Sequence, residues 1–138
     1  MIEQIFILLL IFQVKHWVCD YPLQTPFMLK KFQREDWEFP LFCHAGVHAS
    51  FTLVIACIFI GDHVTPLTSW VGIYTMFLLA VLDLVVHFIV DRIKAHPDMG
   101  GRWKADNPKF WWALGGDQAL HHLTHYVIIY VLVTSINY

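Results

Sequence analysis

Four long apolar runs dominate a chain of only 138 residues: Ile5 to Val18, Leu41 to Gly61, about Ser69 to Val90 and about Asp117 to Ile136. The last three span 20–22 residues and the first, the shortest, 14, and a helix needs about 20 to cross a hydrocarbon core. In lipid every backbone polar group must be satisfied locally, so runs this long have to be helices. The chain is 57% hydrophobic and 14% charged, against about 45–50% and about 25% in ordinary soluble domains. A globule this small cannot hide such an excess of apolar surface. A soluble monomer and a disordered chain are thereby excluded. The expected fold class is all-α, an integral membrane four-helix bundle. It forms a single domain over residues 1–138, with helices at about 2–19, 41–61, 69–93 and 117–136.

The first run opens with MIEQ, carries no basic leader and is followed by no small-x-small site. It therefore reads as a retained helix rather than a signal peptide. Residues 20–40 are punctuated by Pro22 and Pro40, and the mixed segment between them reads as a short interfacial helix at about 26–38. Its Lys30, Lys31 and Arg34 are expected to meet anionic headgroups. Residues 62–68 read as a tight turn. Residues 94–116, with Pro97, Gly100, Gly101, Pro108, Gly115 and Gly116, read as an irregular loop anchored by Trp103, Phe110, Trp111 and Trp112. Trp17, Trp37 and Trp70 read as further interface anchors.

All nine Lys and Arg lie at or after the end of the first helix, or after the third. The positive-inside rule makes that side cytoplasmic, with both termini outside an inner membrane. A formal net charge of −2 gives no nucleic-acid footprint. The expected surroundings are the lipid bilayer, with a homo-oligomer as a further partner. Cys19, Cys43 and Cys57 make no disulfide framework.

Nine histidines are the anomaly, because ionisable groups inside a membrane are expensive. The first helix ends with His16 and Asp20, and the second begins with His44 and His48. The third ends with Asp83, His87 and Asp91, and the fourth begins with Asp117, His121, His122 and His125. Each helix carries an i, i+4 pair on one face. Up-down topology brings all four sets to one depth near the cytoplasmic surface. A purely structural set of interhelical hydrogen bonds would not need so many His and Asp together. His48 and Asp83, the deepest members, are the ones most readily taken as structural. His63 and His96 read as loop residues.

Imidazoles mixed with carboxylates suit Zn²⁺, Mn²⁺ or Fe²⁺, and bundle cores build such sites from several helices. The candidate metal ligands are His16, Asp20, His44, His48, His87, Asp91, Asp117, His121 and His125. Asp20 or Asp91 is the candidate general base, in metal-assisted hydrolysis of an amphiphilic or phosphate-bearing substrate. The same cluster would also serve a cation or proton transporter or channel, or a structural metal in a non-catalytic membrane factor.

The stretch His16-Trp17-Val18-Cys19-Asp20-Tyr21-Pro22-Leu23-Gln24-Thr25 resembles the H-x3-D-[FY]-x-L-Q-[TS] signature of an uncharacterised family of small bacterial and phage membrane proteins. His44 and His48, His87 to Asp91, and Asp117-Gln118-Ala119-Leu120-His121 are similar to its later motifs, in order along nearly the whole chain. The resemblance implies the membrane fold and the candidate ligands, and brings Gln24 near the site. His44-x3-His48 and His121-His122-x2-His125 are also similar to the His boxes of membrane fatty-acid desaturases. That implies a di-iron oxidoreductase as another reading, although this chain is shorter and mixes Asp into every cluster. A b-type haem protein would leave the Asp residues without a role.

Overall fold

A computed structural model describes residues 2–63 and 70–135. Among them are four α-helices: α1 (Ile2–Asp20), α2 (Glu38–His63), α3 (Trp70–Ala95) and α4 (Pro108–Ser135). The fold is all-α. α2 runs to His63, so residues 62 and 63, expected in a turn, are helical, and the rest of the expected turn lies outside the described residues. Residues 64–69 and the side chains of Asp62 and His63 lie outside those described.

The helices close into a ring. α2 packs most extensively on α3, α3 on α4, α4 on α1 and α1 on α2. The end of α1, the start of α2, the end of α3 and the start of α4 share one end of the bundle, which also carries the basic residues. α1, α2 and α3 are each long and apolar enough to cross a membrane. The 19 residues of α1 amount to about 28 Å, just the thickness of a hydrocarbon core. α4 does not reach that hydropathy, because Asp117, Gln118, His121, His122 and His125 all fall on it.

The surface is inverted relative to a protein in water. Val71, Tyr130 and Ile58 are 77%, 70% and 61% exposed, while His44, His48, Asp83 and His87 are completely buried. Water would drive the opposite arrangement. A polar interior inside an apolar exterior is what lipid as solvent selects.

The short helix expected after α1 is a 3-10 turn, Met28–Phe32. It is strapped to the bundle by Arg92, whose guanidinium donates to the carbonyls of Lys31 and Gln33 at 3.0 and 3.2 Å. That same guanidinium covers the Trp37 ring at 3.7 Å. Arg34 forms a bidentate pair with Asp98 at 2.7 and 2.6 Å on the exposed surface. Gly100 and Gly101 fold back on the end of α3 so closely that a Cβ would sit 2.5 Å from the Lys94 carbonyl oxygen or 2.4 Å from that of Ala95.

Two helix starts differ from the sequence reading. α4 begins at Pro108, not near residue 117, so the loop expected over 94–116 is shorter. Asn107 caps it, its side-chain oxygen accepting from the Lys109 N–H at 3.0 Å, and Pro108 takes the first helical position, which needs no N–H. Gly115 and Gly116 lie inside this helix, costing about 1 kcal/mol each relative to Ala without breaking it. α2 begins at Glu38, and Pro40 is tolerated in its first turn for the same reason.

Candidate metal centre

Each helix turns one stripe inward, and each stripe changes character along its length. On α1 it runs Leu8, Phe12, Lys15, His16, Cys19, and on α3 it runs Met76, Leu79, Ala80, Asp83, His87, Asp91. α2 offers His44, His48 and Thr52 and then Ala56, Phe59 and Ile60. α4 offers Asp117, His121 and His125 and then Ile128, Ile129, Leu132 and Val133. The i, i+3/i+4 spacing keeps these side chains on one face. The antiparallel ring then sets polar halves against polar halves.

Among the described residues, each of the three buried carboxylates of the cluster is matched by a lysine, and the half-buried Asp20 is not. Deepest is Asp83, whose Oδ2 accepts from the Lys15 ammonium at 2.6 Å and the Thr52 hydroxyl at 2.7 Å. Nearer the basic end, Lys94 donates to Asp117 at 2.8 Å. Lys31 lies 3.4 Å from Asp91, a looser pair. Burial pushes the Lys31 ammonium below its ordinary pKa, and the Asp91 carboxylate opposes that shift. One of these pairs corrects the sequence reading: Lys31 is not a headgroup charge but an internal counter-ion, and like Lys15 it is 3% exposed. A buried carboxylate left uncompensated would cost several kcal/mol.

Asp20 is the exception. It has no lysine, and three imidazoles surround it instead. His48 Nε2 lies 3.1 Å from Oδ1, His44 Nε2 3.5 Å from the same oxygen, and His16 Nε2 3.2 Å from Oδ2. Donors held 2.0–2.2 Å from one tetrahedral ion lie about 3.3–3.6 Å apart; the His44 separation falls in that range, and the His48 and His16 nitrogens sit slightly closer, at hydrogen-bond distance. Gln118 joins the group, 3.2 Å from His16 Nε2 and 3.5 Å from Asp20.

His87 sits between them, stacked on His48 at 3.8 Å and on His121 at 4.0 Å between ring centres. Its Nδ1 is 3.0 Å from the Asp83 carbonyl oxygen and 3.2 Å from the Asp83 carboxylate. A carbonyl only accepts, so Nδ1 carries the proton and Nε2 presents its lone pair. That Nε2 is buried and has no hydrogen-bond partner on the protein. Fixing one ring nitrogen so that the other can ligate is how metal-binding imidazoles are commonly oriented.

The donor set as a whole is short of hydrogen-bond partners. Among the described residues, ten buried side-chain atoms find none on the protein, and all ten belong to these His and Asp residues. His44 Nε2 and Asp91 Oδ2 are only 3.0 Å apart, yet misaligned for a hydrogen bond. Each such buried group costs about 1–3 kcal/mol if nothing binds it. Four triads bring their ligand atoms within 4.8 Å of one another: His16/His48/His87, Asp20/His44/His48, Asp83/His87/His125 and Asp91/Asp117/His121. The residues present fit a mixed nitrogen and oxygen cation site.

All nine candidate ligands named from the sequence therefore lie in one connected cluster. His48 belongs to two of these triads, and Asp83, bonded across helices to Lys15 and Thr52, also contacts His87. His122 stands half-buried beside it, its ring 5.5 Å from His16. Gln24 is near, but its amide donates to the Asp20 backbone carbonyl at 2.9 Å rather than to the carboxylate. Lys15, Lys31, Lys94, Thr52 and Gln118 had been given no part. Periodicity could have found Lys15, which continues the Leu8, Phe12 stripe at the same spacing as Cys19.

Fold and site together define a class: a membrane-type four-helix bundle built around a buried His/Asp/Lys centre. Within that class the chain belongs to the family described as "Protein of unknown function (DUF3307)", whose profile matches residues 5–138. Comparison with curated proteins and with solved structures finds no match.

Proposed function

We propose that this protein is an integral membrane metal-dependent hydrolase, acting on an amphiphilic substrate at the leaflet where its basic end lies. The observation that carries the reading is Asp20, the carboxylate of the cluster with no lysine against it, its oxygens 3.1–3.5 Å from ring nitrogens of His16, His44 and His48. A divalent ion such as Zn²⁺, Mn²⁺ or Fe²⁺ there would supply Lewis acidity and acidify water at neutral pH. Asp20 and the imidazoles would hold it, with Asp83 keeping His87 in the ligating tautomer. Asp91, beside His44, would serve as the general base. Lys30, Arg34, Arg92, Arg102, Lys104 and Lys109, the basic residues outside the centre, lie at one end, which supports placing that end at the cytoplasm.

Metal content of the protein purified in detergent, before and after chelation, tests the centre. Hydrolysis of phosphate and acyl esters in mixed micelles tests the reaction. Asp91→Asn is expected to lower kcat while keeping the metal. Failure to bind any of the three metals would overturn the reading.

A transporter using the same cluster is the second reading, favoured by the Lys15–Asp83 pair, which carries the polar chain one level deeper. Beyond it Leu8, Phe12, Ile60, Met76, Ile128 and Leu132 pack into a continuous apolar layer. Metal or proton flux into proteoliposomes would turn the choice toward transport.

A further inference from the structure

A cavity of about 280 Å³ opens beside Asp20 at the basic end of the bundle. Asp20, Asp91, Lys31 and Lys94 all line it, Lys31 carried by the 3-10 turn and Lys94 by α3. Trp103 and Phe110 wall it on the side of the α3–α4 connection. The geometry points to this cavity as a binding site for a phosphate group, with Lys31 and Lys94 as its cationic ligands. The inference deepens the hydrolase reading and rests on it.

Charge balance is the first support. Four carboxylates (Asp20, Asp83, Asp91 and Asp117) face three ammonium groups (Lys15, Lys31 and Lys94). With neutral imidazoles the centre carries one net negative charge, which repels anions. One divalent cation reverses that sign, and an excess positive charge in a poorly hydrated site then requires an anion. The same count argues against a cationic or neutral headgroup.

Geometry is the second support. Lys15 is locked deep in the bundle, whereas Lys31 and Lys94 both line the cavity. Lys31 holds Asp91 only loosely at 3.4 Å, and the Lys94 side chain retains 24% exposure. Both ammoniums have hydrogen-bond capacity beyond their carboxylates. A tetrahedral oxyanion accepts from several directions at once, which suits point donors arriving from two walls. Aromatic walls favour the apolar remainder of the molecule that bears the phosphate.

The test uses the full chain in nanodiscs, with metal content measured on every sample. Inorganic phosphate binding is followed by phosphorus NMR line broadening with Zn²⁺ as the loaded ion. The metal-loaded protein is expected to bind phosphate at least about tenfold more tightly than the chelated protein. Sulfate should compete and choline should not. Lys94→Gln and Lys31→Gln are each expected to weaken phosphate about tenfold at unchanged metal content. Nanodiscs containing phosphatidic acid, set against soluble glycerol phosphate, distinguish the source of the group. Tighter binding of either one supports the site and identifies what it takes. A metal-loaded protein that ignores phosphate overturns this inference alone, and so does one whose affinity survives both lysine variants. A protein that takes up no metal overturns the hydrolase reading as well. Should either variant fail to fold, the comparison of loaded and chelated native protein still decides.

Discussion

The two halves of the bundle are built from the same four helices and held together by different physics. At the apolar end, Leu8, Phe12, Ala56, Phe59, Ile60, Met76, Leu79, Ile128, Ile129 and Leu132 form one packed layer. In lipid such a layer gains little from hydrophobic transfer, since the solvent is as apolar as the core, and relies on close contact. At the basic end the helices meet through imidazoles, carboxylates and lysines that are individually costly to bury. The first half tolerates any side chains of suitable shape. The second works only when every charge has its counterpart, and it has one carboxylate for which the protein supplies none. That gap lies among His and Asp groups that could hold a metal ion.

Substitutions that separate the halves should rank accordingly. The largest loss of stability is expected from Asp83→Leu, which leaves the Lys15 ammonium buried and unpaired, at about 3–5 kcal/mol. Thermal unfolding in detergent measures it, and adding Lys15→Met should recover most of the loss. If the double variant is no better than the single one, charge pairing is not what holds that level. Next comes Leu132→Ala in the apolar layer, with a cost of about 2 kcal/mol or more from the cavity left behind. Metal content should not change, and a loss of metal there would show the halves to be coupled.

Asp20→Asn should affect the fold of the chelated protein by less than either. It removes the one charge that lacks a lysine. Metal affinity should nonetheless fall by at least about 100-fold, as read by competition with a chromogenic chelator. Retained affinity would remove Asp20 from the ligand set. The smallest effect belongs to Arg34→Ala. The Arg34 guanidinium holds the exposed Asp98 carboxyl below its ordinary pKa. A carboxyl lowered on folding stabilises above its unfolded value of about 3.9 and loses that contribution as the pH falls through the folded value. At neutral pH the variant should melt indistinguishably from the native protein in 0.5 M salt. A salt-insensitive loss would mean that the pair is more than a screened surface contact.

Much of this contrast was legible in the sequence. The i, i+4 spacing of His16 and Asp20, His44 and His48, His87 and Asp91, and Asp117, His121 and His125 placed the polar stripes on facing helix ends. The lysines were not legible in the same way. Hydropathy and the positive-inside rule treat Lys15, Lys31 and Lys94 as surface charges, because neither considers a partner on another helix. Lys15 and Asp83 are 68 positions apart, and only the folded ring brings them together. The start of α4 was missed for a different reason. Asn107-Pro108 reads as a loop signal when Pro is taken as a breaker, and as a helix start when its missing N–H is placed where none is needed.

The Lys15–Asp83 pair also bears on how the chain is made. Helix α1 leaves the ribosome with its lysine near the end of the apolar run, and the carboxylate that neutralises it follows only with α3. During that interval α1 carries an uncompensated charge that keeps its end at the water interface. Its final depth is therefore set after α3 has arrived, and the first and third helices have to enter the bilayer as partners rather than in strict succession. A ribosome-bound chain halted before Asp83 should hold α1 shallower than one halted beyond Asp91, a difference that accessibility labelling near Trp17 can read.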